Sequence, residues 1–336
     1  MALTKIERAR GFLDAGKLSD EWVGQKRKRA LLLEAHHSTH IEGTRLSLDQ
    51  SERLLDGKEV EEADRDDTRE LLNYRDAFQY VAGYLGSRDA IREETIREIH
   101  RRLVRGVRGE KALPGEYRSV QNYIVDLESM KTIYVPPPPQ DVPRMMRELV
   151  AWIHAEQRAS PVIAAGIAQF QLVHVHPFVD GNGRTARLLS MLCLYRAGYD
   201  FKRLFALSEY YDRDRPAYYQ AIQDVRERNL DLTGWLEYFT VGLSTQLREV
   251  QDRAESSIRS ESLLTRAHGA GLKDRPIALL AFLLDRGKGT IAECEAAMLE
   301  NRRTLQRDLK TLVELGFVRE VGTGPTDPTK YYMPAP

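Results

Sequence analysis

Residues 176–187 read HPFVDGNGRTAR, which sets one histidine, one acid, a Gly-Asn-Gly turn and two arginines within twelve positions. His176 is a proton acceptor by type. Asp180 is a hard oxygen donor suited to magnesium. Gly181, Asn182 and Gly183 permit a tight turn whose backbone N–H groups point inward as an anion cradle. The turn runs into a helix N-terminus, which also favours phosphate. Arg184 and Arg187 are three apart, so they fall on one helical face, where their forks can clamp phosphate oxygens. Taken singly, each feature has a plain structural explanation: a glycine turn, a satisfied histidine, a capping aspartate. Together they place a base, a metal ligand and a polyphosphate cradle in one segment. The spacing is not that of a Walker A loop.

A second stretch, ALLLEAHHSTHIEG at residues 30–43, predicts a buried helix that stops at Gly43. Ser47 and Gln50 then form a capping box for the next helix. His36, His37 and His40 cluster here. No acid or cysteine spacing supports zinc, and a helical packing face is the better reading.

Most of the chain before residue 245 shows helical periodicity. One helix opens at Val142-Pro143 and returns Met146, Leu149, Val150 and Ile153 to one face. Another runs from Pro161 to about His174. A third begins after Gly183 and ends near Gly198. Strand signals are scarce: VQNYIV at 120–125 faces TIYVPPPP at 132–139 across a charged turn, and the prolines leave no room for a larger sheet. Residues 250–272 are polar and read as a solvated helix or linker. Three further helical stretches and two short strands follow, with Leu305, Leu309, Leu312 and Val313 inward and Arg302, Arg303, Arg307 and Lys310 outward. That order resembles a winged helix-turn-helix domain.

The chain has 336 residues, enough for one large and one small domain. Lys+Arg and Asp+Glu are both 50, so overall charge steers neither nucleic acid nor membrane. Cys193 and Cys294 stand far apart in apolar contexts, against a disulfide scaffold. The N-terminus lacks an apolar signal core, and no apolar run reaches membrane-spanning length. The expectation is a soluble, cytoplasmic chain without membrane partners.

HPFVDGNGRTAR resembles the core signature of the Fic family (Fic/Doc superfamily), HPFx[D/E]GNGRxxR, at every specified position. The resemblance implies a mainly α Fic-fold core with a small β-hairpin flap, followed here by the winged-helix segment. It implies AMP transfer from ATP to a Ser, Thr or Tyr hydroxyl of a protein target. His176 would be the general base. Asp180 would hold Mg2+, with Mn2+ as a substitute. Gly181, Asn182 and Gly183 would cradle the phosphates, Arg184 would support the anion hole, and Arg187 would reach the γ-phosphate. GEYRSVQNYI followed by YVPPPP resembles the family flap, residues 115–139, with Ile124 at the adenine contact and an edge open to a target strand. Tyr218 and Tyr219 resemble the aromatic pair of the base pocket. Adjacent tyrosines on a helix diverge, so one of them is open to a packing role.

Ser38, Glu42 and Gly43 match the family's inhibitory motif [S/T]xxxE[G/N]. The resemblance implies an inhibitory helix at about 30–43 whose Glu42 pairs with Arg187 and competes with the γ-phosphate. The expected organisation is an N-terminal helical region, 1–90; a catalytic core, 91–245; a helical linker, 246–272; and the winged-helix domain, 273–336. A homodimer is implied as well. Three alternatives stay open: another nucleotide donor, Glu42-dependent removal of AMP, and a DNA-binding regulator acting through the C-terminal segment.

Overall fold

The computed structural model describes residues 1–85, 89–107, 112–125, 130–155, 159–322, 324, 327 and 330–335. The chain forms two compact units, Met1–Gln251 and Asp252–Pro336. Among the described residues no helix is long and apolar enough to cross a membrane.

The first unit begins with α1 (Ala2–Ala15), α2 (Asp20–Ile41), α3 (Leu48–Leu55), α4 (Arg65–Ala82) and α5 (Glu93–Val104). α2 starts ten residues earlier than the apolar run suggests. Ser19 caps it by accepting from the Trp22 N–H, and Asp20 and Glu21 complement the dipole of its first turn. It stops at Ile41, with Glu42 at the C-cap and Gly43 at φ +107°. The capping box of Ser47 and Gln50 opens α3.

The hairpin is smaller than its sequence pattern. β1 is only Ile124–Val125 and β2 only Thr132–Tyr134, paired antiparallel with Ile124 opposite Tyr134. Pro136–Pro139 have no N–H to continue the ladder. The Pro136 and Pro137 carbonyls take side-chain donors instead: Gln121 Nε2 bonds Pro136 O at 2.9 Å. The charged turn, residues 126–129, lies outside the described residues.

Next come α6 (Val142–His154), α7 (Pro161–Val175), α8 (Asn182–Arg196), α9 (Leu207–Arg213) and α10 (Arg215–Glu227). α8 is the centre of this unit. It packs on α7, α5, α4 and α2, and nearly all its side chains are buried. A helix so enclosed has no solvated face for its arginines, so each needs an internal partner. α11 (Thr233–Gly269) is continuous across the unit boundary. Gly166 of α7 lets it approach, since a Cβ there would stand 3.1 Å from Phe239, and Trp235 Nε1 donates to Gly166 O at 2.8 Å.

The second unit contains α12 (Asp274–Arg286), α13 (Ile291–Met298), α14 (Arg302–Glu314), β3 (Val318–Val321) and β4 (Tyr331–Pro334). Leu279, Leu280, Leu283, Leu305, Leu309 and Leu312 form its core. β3 and β4 pair antiparallel, and Gly289 bridges to Tyr332. Residues 323–329, the hairpin turn, lie largely outside the described residues. Asp308 on α14 points inward and accepts two bonds from Arg275, at 2.6 and 3.3 Å.

Candidate active site

His176 closes α7 in the left-handed region, at φ 51° and ψ 58°. Its N–H still bonds Leu172 O at 2.9 Å, so the helix ends and the chain turns on one residue. The ring lies 3.4 Å from Val173 O through Nδ1. Only a protonated Nδ1 can donate there, which leaves Nε2 as the acceptor. Burial pushes the ring pKa down to about 4, opposed by the bond to Val173 and assisted by Arg226 and Arg118. The imidazole is therefore neutral near pH 7 and able to take a proton.

The loop after His176 is fixed from within and from both sides. Asn182 bonds the Phe178 backbone twice, accepting from its N–H at 2.9 Å and donating to its carbonyl at 2.8 Å. Its side chain is a staple of the loop, and the residue is buried. Gly181 caps α8 at φ +76°, where a Cβ would stand 2.9 Å from Val104. Asp180 Oδ1 accepts from the Gly181 N–H at 2.6 Å, and its side chain is 39% exposed beside the N-terminus of α8. Among the described residues no group of three or more His, Cys, Asp or Glu is arranged to hold a metal. One accessible carboxylate fits magnesium that arrives with phosphates, because that ion keeps water and phosphate oxygens in its shell.

Sequence reasoning missed His100. It is fully buried on α5, stacked on Phe178 at 3.7 Å. Its Nδ1 accepts from the Gly115 N–H at 2.9 Å, so Nε2 carries the proton and donates to Asp180 O at 3.0 Å. It thus links the first residue of the hairpin segment to the acidic loop. Asn122 adds a second link, donating to Phe178 O at 2.9 Å.

Arg184 and Arg187 of α8 do not act as one clamp. Arg184, 1% exposed, bonds Glu70 of α4 at 2.6 Å and lies 3.7 Å from Asp180. Arg187, 2% exposed, turns to α2. Its Nε donates to Ser38 Oγ, and its Nη2 donates to Ser38 O and Glu42 Oε1, each at 2.8 Å. A Cβ at Gly183 would collide with Glu42 Oε1. The Glu42 carboxylate therefore sits directly over the turn. Gly43 makes room for that placement only through its positive φ.

α2 is held along its length. Glu34 is buried and accepts from Tyr74 OH at 2.9 Å and from the Ser208 N–H at 2.9 Å. His36 bonds Ser51, whereas His37 and His40 both meet Asp212 of α9 at 2.7 Å. The histidine cluster is thus one packing residue and two polar anchors. Tyr218 is buried and stacks on Tyr211 at 4.4 Å, within an aromatic core. Tyr219 is half-exposed and donates to Ile41 O, at the end of α2. Ile124 lies on β1, partly buried.

Residues 90–194 match the Fic/DOC family, and residues 28–82 match the N-terminal region of the same family. A protein adenylyltransferase Fic of Culex quinquefasciatus is 33% identical over 244 residues, covering 69% of this chain and 47% of that protein. Its counterpart in Drosophila grimshawi is 32% identical over 250 residues, covering 69% and 49%. The chain thus spans about half the length of the curated relatives it matches. A Fic family protein of Desulfovibrio desulfuricans shares the fold across 99% of this chain and 94% of its own, with TM-score 0.63 and 22% identity. Fic-1 of Caenorhabditis elegans aligns with TM-score 0.61 and 25% identity, over 75% of this chain and 71% of that one. Residues 28–82 and 90–194 are thus homologous to the Fic/DOC family.

Proposed function

We propose, on the premise of that homology, that the chain is a self-inhibited protein adenylyltransferase that moves AMP from ATP to a hydroxyl of a protein target. The observation that carries this reading is the seat of Arg187. A buried guanidinium at the phosphate-binding end of α8 is held by Ser38 and Glu42, and the Glu42 carboxylate lies over Gly183.

In the active state the nucleotide phosphates lie along Gly181, Asn182 and Gly183, at the N-terminus of α8. Arg184, fixed by Glu70, supports their charge, and Arg187 takes the γ-phosphate. Asp180 would hold magnesium together with the phosphates, and the ion would supply charge neutralisation there. Ile124 and Tyr219 border the base. The target hydroxyl gives its proton to His176 Nε2 as its oxygen bonds the α-phosphorus. The bond from that phosphorus to the bridging oxygen breaks, and diphosphate leaves with both electrons. The products are an AMP ester of the target, diphosphate and one proton.

In the resting state Glu42 occupies Arg187. A γ-phosphate then lacks its fork, and the α-phosphate is misplaced for in-line attack. The regions 1–90, 91–245 and 246–272 serve as inhibitory region, core and linker. Residues 273–336 are a winged-helix domain, a reading supported by three helices followed by a hairpin and the Gly289–Tyr332 bridge.

The test is Glu42→Gly with labelled ATP and magnesium. AMP incorporation into the chain itself is expected to rise, and a second change, His176→Ala, is expected to cancel the rise. A flat rate with a slightly lower melting temperature makes Glu42 a helix cap only. Slower loss of AMP from a labelled target points to removal as the reaction that Glu42 serves.

A further inference from the structure

Arg118 lies in the hairpin segment, before β1, and is 2% exposed. A guanidinium so enclosed ordinarily meets a carboxylate. Among the described residues, the hydrogen bonds of the Arg118 side chain all go to backbone carbonyls. Nε donates to His176 O at 2.8 Å. Nη1 donates to Val120 O at 3.0 Å. Nη2 donates to Pro137 O at 2.5 Å, with Val175 O at 3.5 Å. The Arg118 backbone adds its own N–H to Pro177 O at 2.9 Å.

Those acceptors have a pattern. Val120 precedes β1 and Pro137 follows β2, so one side chain grips both arms of the hairpin. Pro137 lies in a run with no N–H, where a carbonyl can be satisfied only from outside. His176 is a non-glycine residue in the left-handed region, a conformation that persists only where its surroundings hold it. Arg118 holds its carbonyl. The same fork therefore fixes the hairpin arms and the backbone that aims the imidazole.

We propose that Arg118 is a positioning residue that brackets the hairpin to the His176 backbone and so sets the distance from a hairpin-bound target hydroxyl to the base. The proposal rests on the adenylyl-transfer reading for its consequence, and on the hydrogen bonds alone for the bracket. Its function needs the planar fork. A lysine ammonium is a point donor and cannot span acceptors on three separate strands of backbone.

The experiment uses the full chain carrying Glu42→Gly as parent, with ATP and magnesium, and adds Arg118→Lys or Arg118→Ala. Self-labelling is expected to fall about 100-fold in Arg118→Lys, the effect of a displaced reacting group. ATP affinity, measured by calorimetry with His176→Ala also present to stop turnover, is expected to stay within about threefold, since the bracket does not touch the phosphate cradle. Millimolar guanidinium is expected to restore about tenfold of the rate in Arg118→Ala by refilling the fork's site. Amide exchange across 119–125 and 130–137 is expected to quicken in both variants. An unchanged labelling rate in folded Arg118→Lys overturns the proposal, as does a loss of ATP affinity that matches the loss of rate. If the parent itself transfers no AMP, the adenylyl reading fails. Amide exchange then still decides the bracket, and unaltered exchange in Arg118→Lys overturns it.

Discussion

Arg187 and Arg118 are both buried guanidiniums within the first unit, and each is 2% exposed. Their partners differ in kind. Arg187 meets a serine and one carboxylate, Glu42, whose side chain is 24% exposed at a helix end. Among the described residues Arg118 hydrogen-bonds to carbonyls of the backbone. A carboxylate on a rotatable side chain can yield its place to another anion. A carbonyl cannot leave without moving the chain. The first arrangement suits exchange, and the second suits fixed geometry. On the proposed reading the Glu42 carboxylate is the contact that exchanges, and the Arg118 bracket is the one that stays.

The hardest blow to the fixed side is His176→Ala. AMP transfer is expected to fall by about 100- to 10,000-fold, the usual share of a general base. ATP affinity should persist, because no proton moves in the ground state. Near-normal transfer in a rate assay removes His176 from the chemistry and with it the meaning of the bracket.

Glu70→Ala tests whether all ionic contacts of α8 are as yielding as that of Glu42. Arg184 would be left buried without the carboxylate that now bonds it at 2.6 Å. The expected loss is about 3–5 kcal/mol of folding stability, read by urea denaturation. A loss below about 1 kcal/mol would place Arg184 with the exchangeable contacts.

Glu42→Gly sharpens the same contrast from the other side. Transfer is expected to rise by about 5- to 150-fold, the range of a typical coupling energy. Stability should change by only about 1 kcal/mol, since the carboxylate is partly solvated. A large stability loss without a gain in rate would make this contact structural.

A further prediction concerns pH. Burial is the main cause that holds His36, His100 and His176 down to about 4, from an ordinary 6.5. Between those values the unfolded chain binds more protons than the folded one, so stability falls as pH drops through that window. Each group adds a slope of up to about 1.4 kcal/mol per pH unit. Melting temperatures from pH 7 to 4.5 check this, and a flat profile shows that these imidazoles are solvated. The acid limb of transfer should likewise lie below that of a free histidine.

Much of the site was legible because its parts are local. His176, Asp180, Gly181 and Gly183 sit on one turn, and a turn is written in consecutive residues. The helices α6, α7 and α8 followed from apolar spacing for the same reason. The pairing of Arg187 with Glu42 crosses 145 residues and was reached only through a motif resemblance. Glu70 is 114 residues from Arg184, His100 is 80 from Asp180, and Arg118 is 58 from His176. No spacing rule joins residues so far apart. Asn182 was read as part of a cradle, and nothing in the motif says that its amide closes the loop on Phe178. A weak signal for Arg118 did exist. A run of four prolines leaves carbonyls without strand partners, and the long donors shortly before β1 are Gln121 and this arginine.

The contact between Glu42 and Gly183 has a further consequence. On the proposed reading, Glu42 is an inhibitor tied covalently to its own receptor. A tethered group acts at an effective concentration set by the tether, on the order of millimolar or more, and not by how much protein is present. Dilution therefore leaves the resting state intact, and so does a burst of synthesis. A separate inhibitor would have to be made in step with its enzyme. Here the stoichiometry is one to one by construction, and the variable that remains is the concentration of nucleotide competing for Arg187.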